Sequence, residues 1–305
     1  MTNIKIGNST LTASQIALGC MRISELDSKD ADILVRTALD EGINFFDHAD
    51  IYGAGKSETI FSNTLKSTPS LRDEMVIQSK CGIRNGFFDF SKEHILTSVD
   101  SILKRLDTDY LDVLLLHRPD ALVEPEEVAS AFDTLHKNGK VRHFGVSNQN
   151  PMQIELLQKY VNQKLIANQL QFGVAHSGMI DAGINVNMNV DSGIDRDGSI
   201  LDYCRLNDIT IQAWSPFQYG FFEGVFLNND KFPELNRAID KIAAEYNVTN
   251  SAIATAWIMR HPANIQTIVG TSNLQRLKDI CQATSVTLTR EQWYEIYRAA
   301  GNILP

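Results

Sequence analysis

Eight short apolar runs alternate with longer stretches of helical spacing along the whole chain, and this alternation constrains the fold more than any other feature. The runs lie at 16–18, 44–46, 75–78, 111–116, 141–146, 166–171, 209–213 and 265–269. Between them the spacing predicts helices over 28–41, 57–66, 91–105, 124–138, 151–160, 199–207, 233–246, 250–261 and 273–283, with a last amphipathic helix over 290–300. Ser28 and Ser91 read as N-caps, and Gly42 and Gly139 as stops. Strand–helix units in one series imply parallel strands, because each crossover returns the chain to the same edge. Parallel strands need both faces covered, which suits these nearly continuous apolar runs. An open dinucleotide-binding sheet would carry G-x-G-x-x-G after its first strand. Here the first run leads into Gly19-Cys20-Met21-Arg22-Ile23-Ser24, with a single glycine. The sequence therefore predicts a closed (β/α)8 TIM barrel, spanning 1–305 as a single domain with no linker. One connection, 173–198, is too long for a bare turn, and segments of that size commonly cover a site.

Charge and composition exclude several classes. The 28 Lys and Arg residues against 37 Asp and Glu give a net charge of −9, which lacks the basic footprint that binding to nucleic acid requires. No apolar run approaches the ~20 residues that cross a bilayer, so no membrane partner is expected. The first residues, Met1-Thr2-Asn3-Ile4-Lys5-Ile6, have no apolar core of a secretory leader. Cys20, Cys81, Cys204 and Cys281 are scattered, without metal-like spacing. Reduced thiols and a cytoplasmic location are the expectation. Gly55-Lys56-Ser57 mimics the end of a P-loop, but Asp50 stands where its first glycine belongs. No H-x-x-x-H pair occurs, and no metal is expected.

In a parallel barrel the chemistry sits at the C-terminal ends of the strands. Those ends place Asp47 and Tyr52 after the second run, Lys80 at the third and His117 at the fourth. Ser147 and Asn148 follow the fifth, Gln169 lies in the sixth, Trp214 and Ser215 follow the seventh, and Gly270 follows the eighth. Taken singly, an Asp caps a turn, a Lys is solvated and a His packs in a core. All at one rim, they point to one site.

These residues lie in longer motifs. They are Gly42-Ile43-Asn44-Phe45-Phe46-Asp47-x-Ala49-Asp50-Ile51-Tyr52-Gly53 with Gly55, Ser57 and Glu58; Ser79-Lys80-Cys81-Gly82; Leu116-His117-Arg118-Pro119-Asp120; Gly139-Lys140-Val141-Arg142-x-Phe144-Gly145-Val146-Ser147-Asn148; Ala213-Trp214-Ser215-Pro216; and Ile268-x-Gly270-Thr271-x5-Leu277. In order and over the whole chain, they resemble the aldo-keto reductases, nearest their bacterial YdhF-like branch. The resemblance implies a TIM barrel opened by a small hairpin, here drawn from 5–12 as a bottom plug, and ending in an extra C-terminal helix. It implies an NADP-dependent oxidoreductase that reduces an aldehyde or ketone to an alcohol by hydride transfer from NADPH. It places the catalytic tetrad on Asp47, Tyr52, Lys80 and His117, with Tyr52 as general acid.

The implied roles are chemically coherent. A phenol of pKa ~10 is a weak acid at neutral pH. A cation ~4 Å away at an effective dielectric of ~20 favours the phenolate by about 4 kcal/mol before desolvation. Lys80 would supply that charge, Asp47 would hold Lys80, and His117 would orient the carbonyl. For the cofactor, the resemblance assigns Ser147, Asn148 and Gln169 to the carboxamide and Trp214 to stacking on the nicotinamide. Gly19, Cys20 and Met21 approach it after the first strand, and Ser215, Phe217 and Gln218 face the pyrophosphate. Gly270, Ser272 and Arg276 hold the adenosine 2′-phosphate, which favours NADPH over NADH. His48 replaces a commoner small residue, and Ile280 stands where many relatives carry an adenine-contacting Asn. Segments 173–198 and 218–230 are expected to shape the substrate pocket, with His176 and Met179 as candidate contacts against the plainer reading of core or loop packing. The partner is a small carbonyl substrate, and the chain is expected to be a monomer or weak homo-oligomer. The alternative readings are a non-catalytic cofactor-sensing barrel subunit and a metal-dependent hydrolase.

Overall fold

The computed structural model describes residues 1–304. Eight parallel strands close into a barrel in sequential order. They are β1 (Ile16–Gly19), β2 (Phe45–Asp47), β3 (Val76–Cys81), β4 (Leu111–Leu116), β5 (Val141–Ser147), β6 (Leu165–Gln171), β7 (Thr210–Trp214) and β8 (Gln266–Val269). The seam between the last and first strands pairs Thr267, Ile268 and Val269 with Ile16, Ala17 and Leu18. Closure explains why β4 could be written Leu111-Asp112-Val113-Leu114-Leu115-Leu116, buried at every position. One face meets the barrel interior and the other meets the helices.

The helices follow the predicted order, with ends shifted by one or two residues. Ser91 caps its helix by accepting from the His94 N–H. Ser28 does not cap; Asp27 does, its carboxylate accepting from the Asp30 N–H, and Ser28 becomes the first helical residue. The helix Asn250–Met259 is buried from Ser251 to Ile258. It lies between β8 and an outer layer that includes Pro233–Tyr246 and Leu274–Cys281. The helix Arg290–Ala299 follows the eighth unit and closes the fold against Pro233–Tyr246.

One expectation needs correction. The N-terminal hairpin is formed by Asn3–Lys5 and Thr12–Ser14, with Ile4 opposite Ala13, so 6–11 is mostly its connection. Ile4, Ile6 and Ala13 pack against Phe45, Val76 and Ile166 near the starts of the strands, and so plug the lower end of the barrel. The 173–198 segment is internally structured and anchored. It contains the short helix Gly178–Ile184, and Asp181 accepts a hydrogen bond from Tyr297 Oη at 2.7 Å. Asn302 Nδ2 donates to Ser177 Oγ at 3.0 Å. These bonds tie the segment, with partly buried Met179 packed against the core, to the outer C-terminal helix and the residues just after it. No helix is long and apolar enough to cross a membrane among the described residues.

Candidate active site

Asp47 ends β2, Lys80 lies on β3 and His117 directly follows β4, so three adjacent strands deliver three of the four residues to one rim. Tyr52 comes from the turn after β2. Gly53, Ala54 and Gly55 there have φ of 58°, 54° and 87°, a left-handed run that reverses the chain immediately after the tyrosine. A Cβ at Gly53 would lie 2.5 Å from Ser24 Cβ, and one at Gly55 would lie 2.6 Å from Arg105 Cδ. Glycine is therefore required at both places by conformation and by space. The signature residues Ser57 and Glu58 anchor this turn. Ser57 Oγ donates to the Cys20 carbonyl at 2.6 Å, and Glu58 accepts from Ser79 Oγ and Arg105 Nε, each at 2.7 Å.

Lys80 is wholly buried, and its three donors are all used. Nζ donates to the Asp47 carboxylate at 2.8 Å, to the His48 carbonyl at 2.8 Å and to Tyr52 Oη at 3.2 Å. Burial presses the Lys80 pKa down, but the Asp47 charge and the Tyr52 oxygen reverse this and leave it above its ordinary value. Lys80 is charged at neutral pH. Tyr52 differs from the sequence expectation. Burial raises its pKa above 10, and the neighbouring ammonium only partly offsets that rise. In this structure the phenol is firmly protonated, a donor poised beside a cation.

His117 lies 6.2 Å from Tyr52, ring centre to ring centre, nearly perpendicular. Burial, then the charges of Lys80 and Arg118, hold its pKa well below 6.5. It is a neutral imidazole with one N–H to donate.

A chain of four glutamines, which sequence reading missed apart from Gln169, fixes this group from below. Gln266 Nε2 donates to the Ser14 carbonyl at 2.8 Å, and its Oε1 accepts from Gln212 Nε2 at 2.9 Å. Gln212 Oε1 accepts from Gln78 Nε2 at 2.9 Å and from Gln169 Nε2 at 3.2 Å. Both of those amides also donate to Asp47 Oδ1, at 2.6 and 3.0 Å. A backbone carbonyl at one end and a carboxylate at the other accept only, so every amide in the chain has one permitted orientation. The signal was present as a glutamine in each of four buried strands, the only amide in three of them, with Asn168 and Gln171 beside Gln169 in the fourth. Gln169 is thereby held with Oε1 as the amide atom not engaged inside the barrel.

The other proposed residues divide by position. Ser147, Asn148 and Trp214 come together. Asn148 Nδ2 donates to Ser147 Oγ at 2.7 Å, and Trp214 Nε1 donates to Asn148 Oδ1 at 3.2 Å. Ser215, Phe217 and Gln218 follow on the same loop and are half-buried. Arg22 bonds the Gly270 carbonyl and so joins the β1 and β8 loops. Ser272 and Arg276 are exposed at the start of the helix Leu274–Cys281, which Asn273 caps. Gly19 is partly exposed and Met21 is exposed, but Cys20 is not. Its thiol is buried and its N–H and carbonyl are bonded to Asp47 and Ser57, so it offers shape and no free polar atom. Ile280 points into the core, so position 280 presents nothing to the rim. His176 bridges Gly173 through backbone bonds at the base of the 173–198 segment.

His48 is wholly buried with neither ring nitrogen bonded, edge-on to Phe61 at 4.5 Å. Burial, then Lys80, lowers its pKa to about 3. The unfolded chain binds this proton below ~6.5 and the folded chain does not, so its contribution favours unfolding as pH falls. His48→Leu removes that linkage. Relative to wild type, the variant is expected to gain about 2 kcal/mol of stability on going from pH 7 to pH 5. Denaturant unfolding at both pH values measures it; equal pH slopes for the two proteins would show that His48 is protonated in place.

The barrel and its buried Asp–Lys–Tyr cluster with a neighbouring neutral His define a class of oxidoreductase. The aldo/keto reductase family model matches residues 15–300, and the chain belongs to that NADP(H)-dependent family. It is 34% identical over 298 residues to oxidoreductase YdhF of Escherichia coli, covering 94% of this chain and 93% of that one. It is also 34% identical to a 6-dehydroglucose reductase of Agrobacterium fabrum, over 95% of each. An aldo-keto reductase from Klebsiella pneumoniae, solved in complex with NADPH, superposes with a TM-score of 0.78 at 21% identity, covering 99% of this chain and 97% of that one.

Proposed function

We propose that the protein reduces the carbonyl group of a small aldehyde or ketone, with Tyr52 as the proton donor. The observation that carries this reading is the Lys80 ammonium, buried and shared between the Asp47 carboxylate and Tyr52 Oη at 2.8 and 3.2 Å. NADPH, when bound at the rim, supplies the hydride. The residues present fit it. Gln169 offers a fixed amide acceptor, Trp214 is held by a hydrogen bond to Asn148, and Arg276 has no ion-pair partner among the described residues. Gly270, Ser272 and Arg276 would hold the 2′-phosphate, where a guanidinium suits a dianion.

The chain's own groups perform the rest. Tyr52 Oη donates its proton to the carbonyl oxygen as negative charge develops there. The phenolate that forms is stabilised by Lys80, whose charge Asp47 maintains. Neutral His117 donates a hydrogen bond to the same oxygen, which orients the carbonyl and favours the transition state over the ground state. The 6-dehydroglucose reductase relative suggests polar, multiply oxygenated carbonyl compounds as the first panel to test.

The direct experiment follows NADPH oxidation at 340 nm with a panel of aldehydes, which should show saturable turnover. Tight cofactor binding without turnover on any of them would favour a cofactor-sensing subunit. Arg276→Ala is expected to raise the KM for NADPH roughly 30-fold and so erase most of the preference over NADH. Equal effects on the two cofactors would remove Arg276 from the 2′-phosphate site.

A further inference from the structure

Arg118 follows His117 directly and lies over the Trp214 ring, 5.6 Å from its centre. It is half-buried, yet among the described residues its guanidinium makes no ion pair and no hydrogen bond. This sets it apart from Arg72, Arg105 and Arg142, which are bonded to Asp112 or Glu58. The nearest acidic residue in sequence, Asp120, is occupied by the Phe90 and Leu122 N–H groups. Burial alone lowers the Arg118 pKa, and no carboxylate charge raises it. Partly desolvated charges are normally paired, because losing water without a partner is costly.

Next to it the Lys80 charge is cancelled by Asp47 and His117 is neutral, so Arg118 supplies the uncompensated positive charge at this part of the mouth. In a chain of net charge −9, such a cation is a local exception. Five N–H donors in a planar fork match an oxyanion.

We propose that Arg118 is a specificity-determining residue that binds an oxyanion carried by the substrate, so that the preferred substrates are carbonyl compounds with a carboxylate, phosphate or sulfonate group. This deepens the reductase reading and rests on it for the word substrate. The anion site itself is separately measurable.

Two measurements test it. In the first, benzoate and the neutral, similarly shaped benzamide are titrated against wild type and Arg118→Leu, with tryptophan fluorescence as the signal. Trp214 lies against Arg118, whereas Trp257 and Trp293 stack on each other at 4.7 Å in the core. Benzoate should bind wild type at least 10-fold more tightly than benzamide, and the preference should vanish in Arg118→Leu and return in part in Arg118→Lys. In the second, 4-carboxybenzaldehyde is compared with its neutral methyl ester as substrates. The ratio of their kcat/KM values should fall roughly 10²-fold in Arg118→Leu. No benzoate preference in wild type overturns the proposal. So does a common loss on both substrates with weakened NADPH binding, which would give Arg118 to the cofactor. Benzoate selectivity without turnover of any aldehyde would sink the reductase reading and leave the anion site standing.

Discussion

Tyr52→Phe is expected to lower kcat by about 10³-fold, within the 10²–10⁴ range of general acid catalysis, while NADPH affinity changes little. The substitution removes one oxygen and leaves the ring in place. Tyr52 Oη accepts from Lys80, but Lys80 keeps its bonds to Asp47 and to the His48 carbonyl. The ammonium therefore stays positioned without its phenol, and the loss reports proton donation rather than collapse of the site. Unfolding by denaturant should change by no more than about 1 kcal/mol, the net value of one hydrogen bond. Parent-like kcat in the variant would end the assignment of Tyr52 as the acid.

Asp47→Asn should do damage of a different kind. Asp47 is 2% exposed and accepts from Lys80, Gln78 and Gln169. An asparagine has one oxygen for these donors, so its own NH2 must face either the ammonium or an amide donor. The buried Lys80 charge then loses the group that keeps its pKa high, and burial, the first influence on it, prevails. Stability should fall by about 3 kcal/mol, the lower end for breaking a buried ion pair. The sign for pH follows. A raised lysine pKa contributes stability below its ordinary value of 10.5 and loses it as pH rises through the folded value. In the variant the folded value drops, so kcat should decline at a lower pH than in wild type. Coincident alkaline limbs for the two proteins would show that Asp47 does not set the charge state of Lys80.

His117 gives the opposite sign and a quieter profile. Held well below 6.5, it stays neutral through the physiological range. Asp50, beside the tetrad, is pushed up to about 7 by burial and by Glu58. An inflection near neutrality should therefore be traced to Asp50 before His117.

Strand order and the meeting of Asp47, Tyr52 and Lys80 at one rim were legible because both follow from local sequence. A run such as Leu111 to Leu116, apolar at every position but Asp112, is expected only if both its faces are covered, and a residue at the end of a parallel strand has one place to go. The anchoring of the long 173–198 segment was not legible, because length says nothing about direction; its anchors, Tyr297 and Asn302, are more than 100 residues from their partners. The same holds for Asp27 over Ser28, where two adjacent capping residues differ only in which side chain reaches the open N–H.

By itself the sequence determined the periodicity, hence the parallel barrel, and the residue types available at its upper rim. The tertiary structure alone decided the protonation states, because these depend on how much water is excluded and on which charges arrive from distant strands. Tyr52 is the instructive case: its neighbouring cation was foreseeable from motif order, but the larger opposing effect of burial arises only when the barrel closes around it. The glutamine chain from Ser14 to Asp47 is likewise invisible in one dimension, since its members lie up to 188 positions apart (266 − 78) and meet only inside the closed sheet.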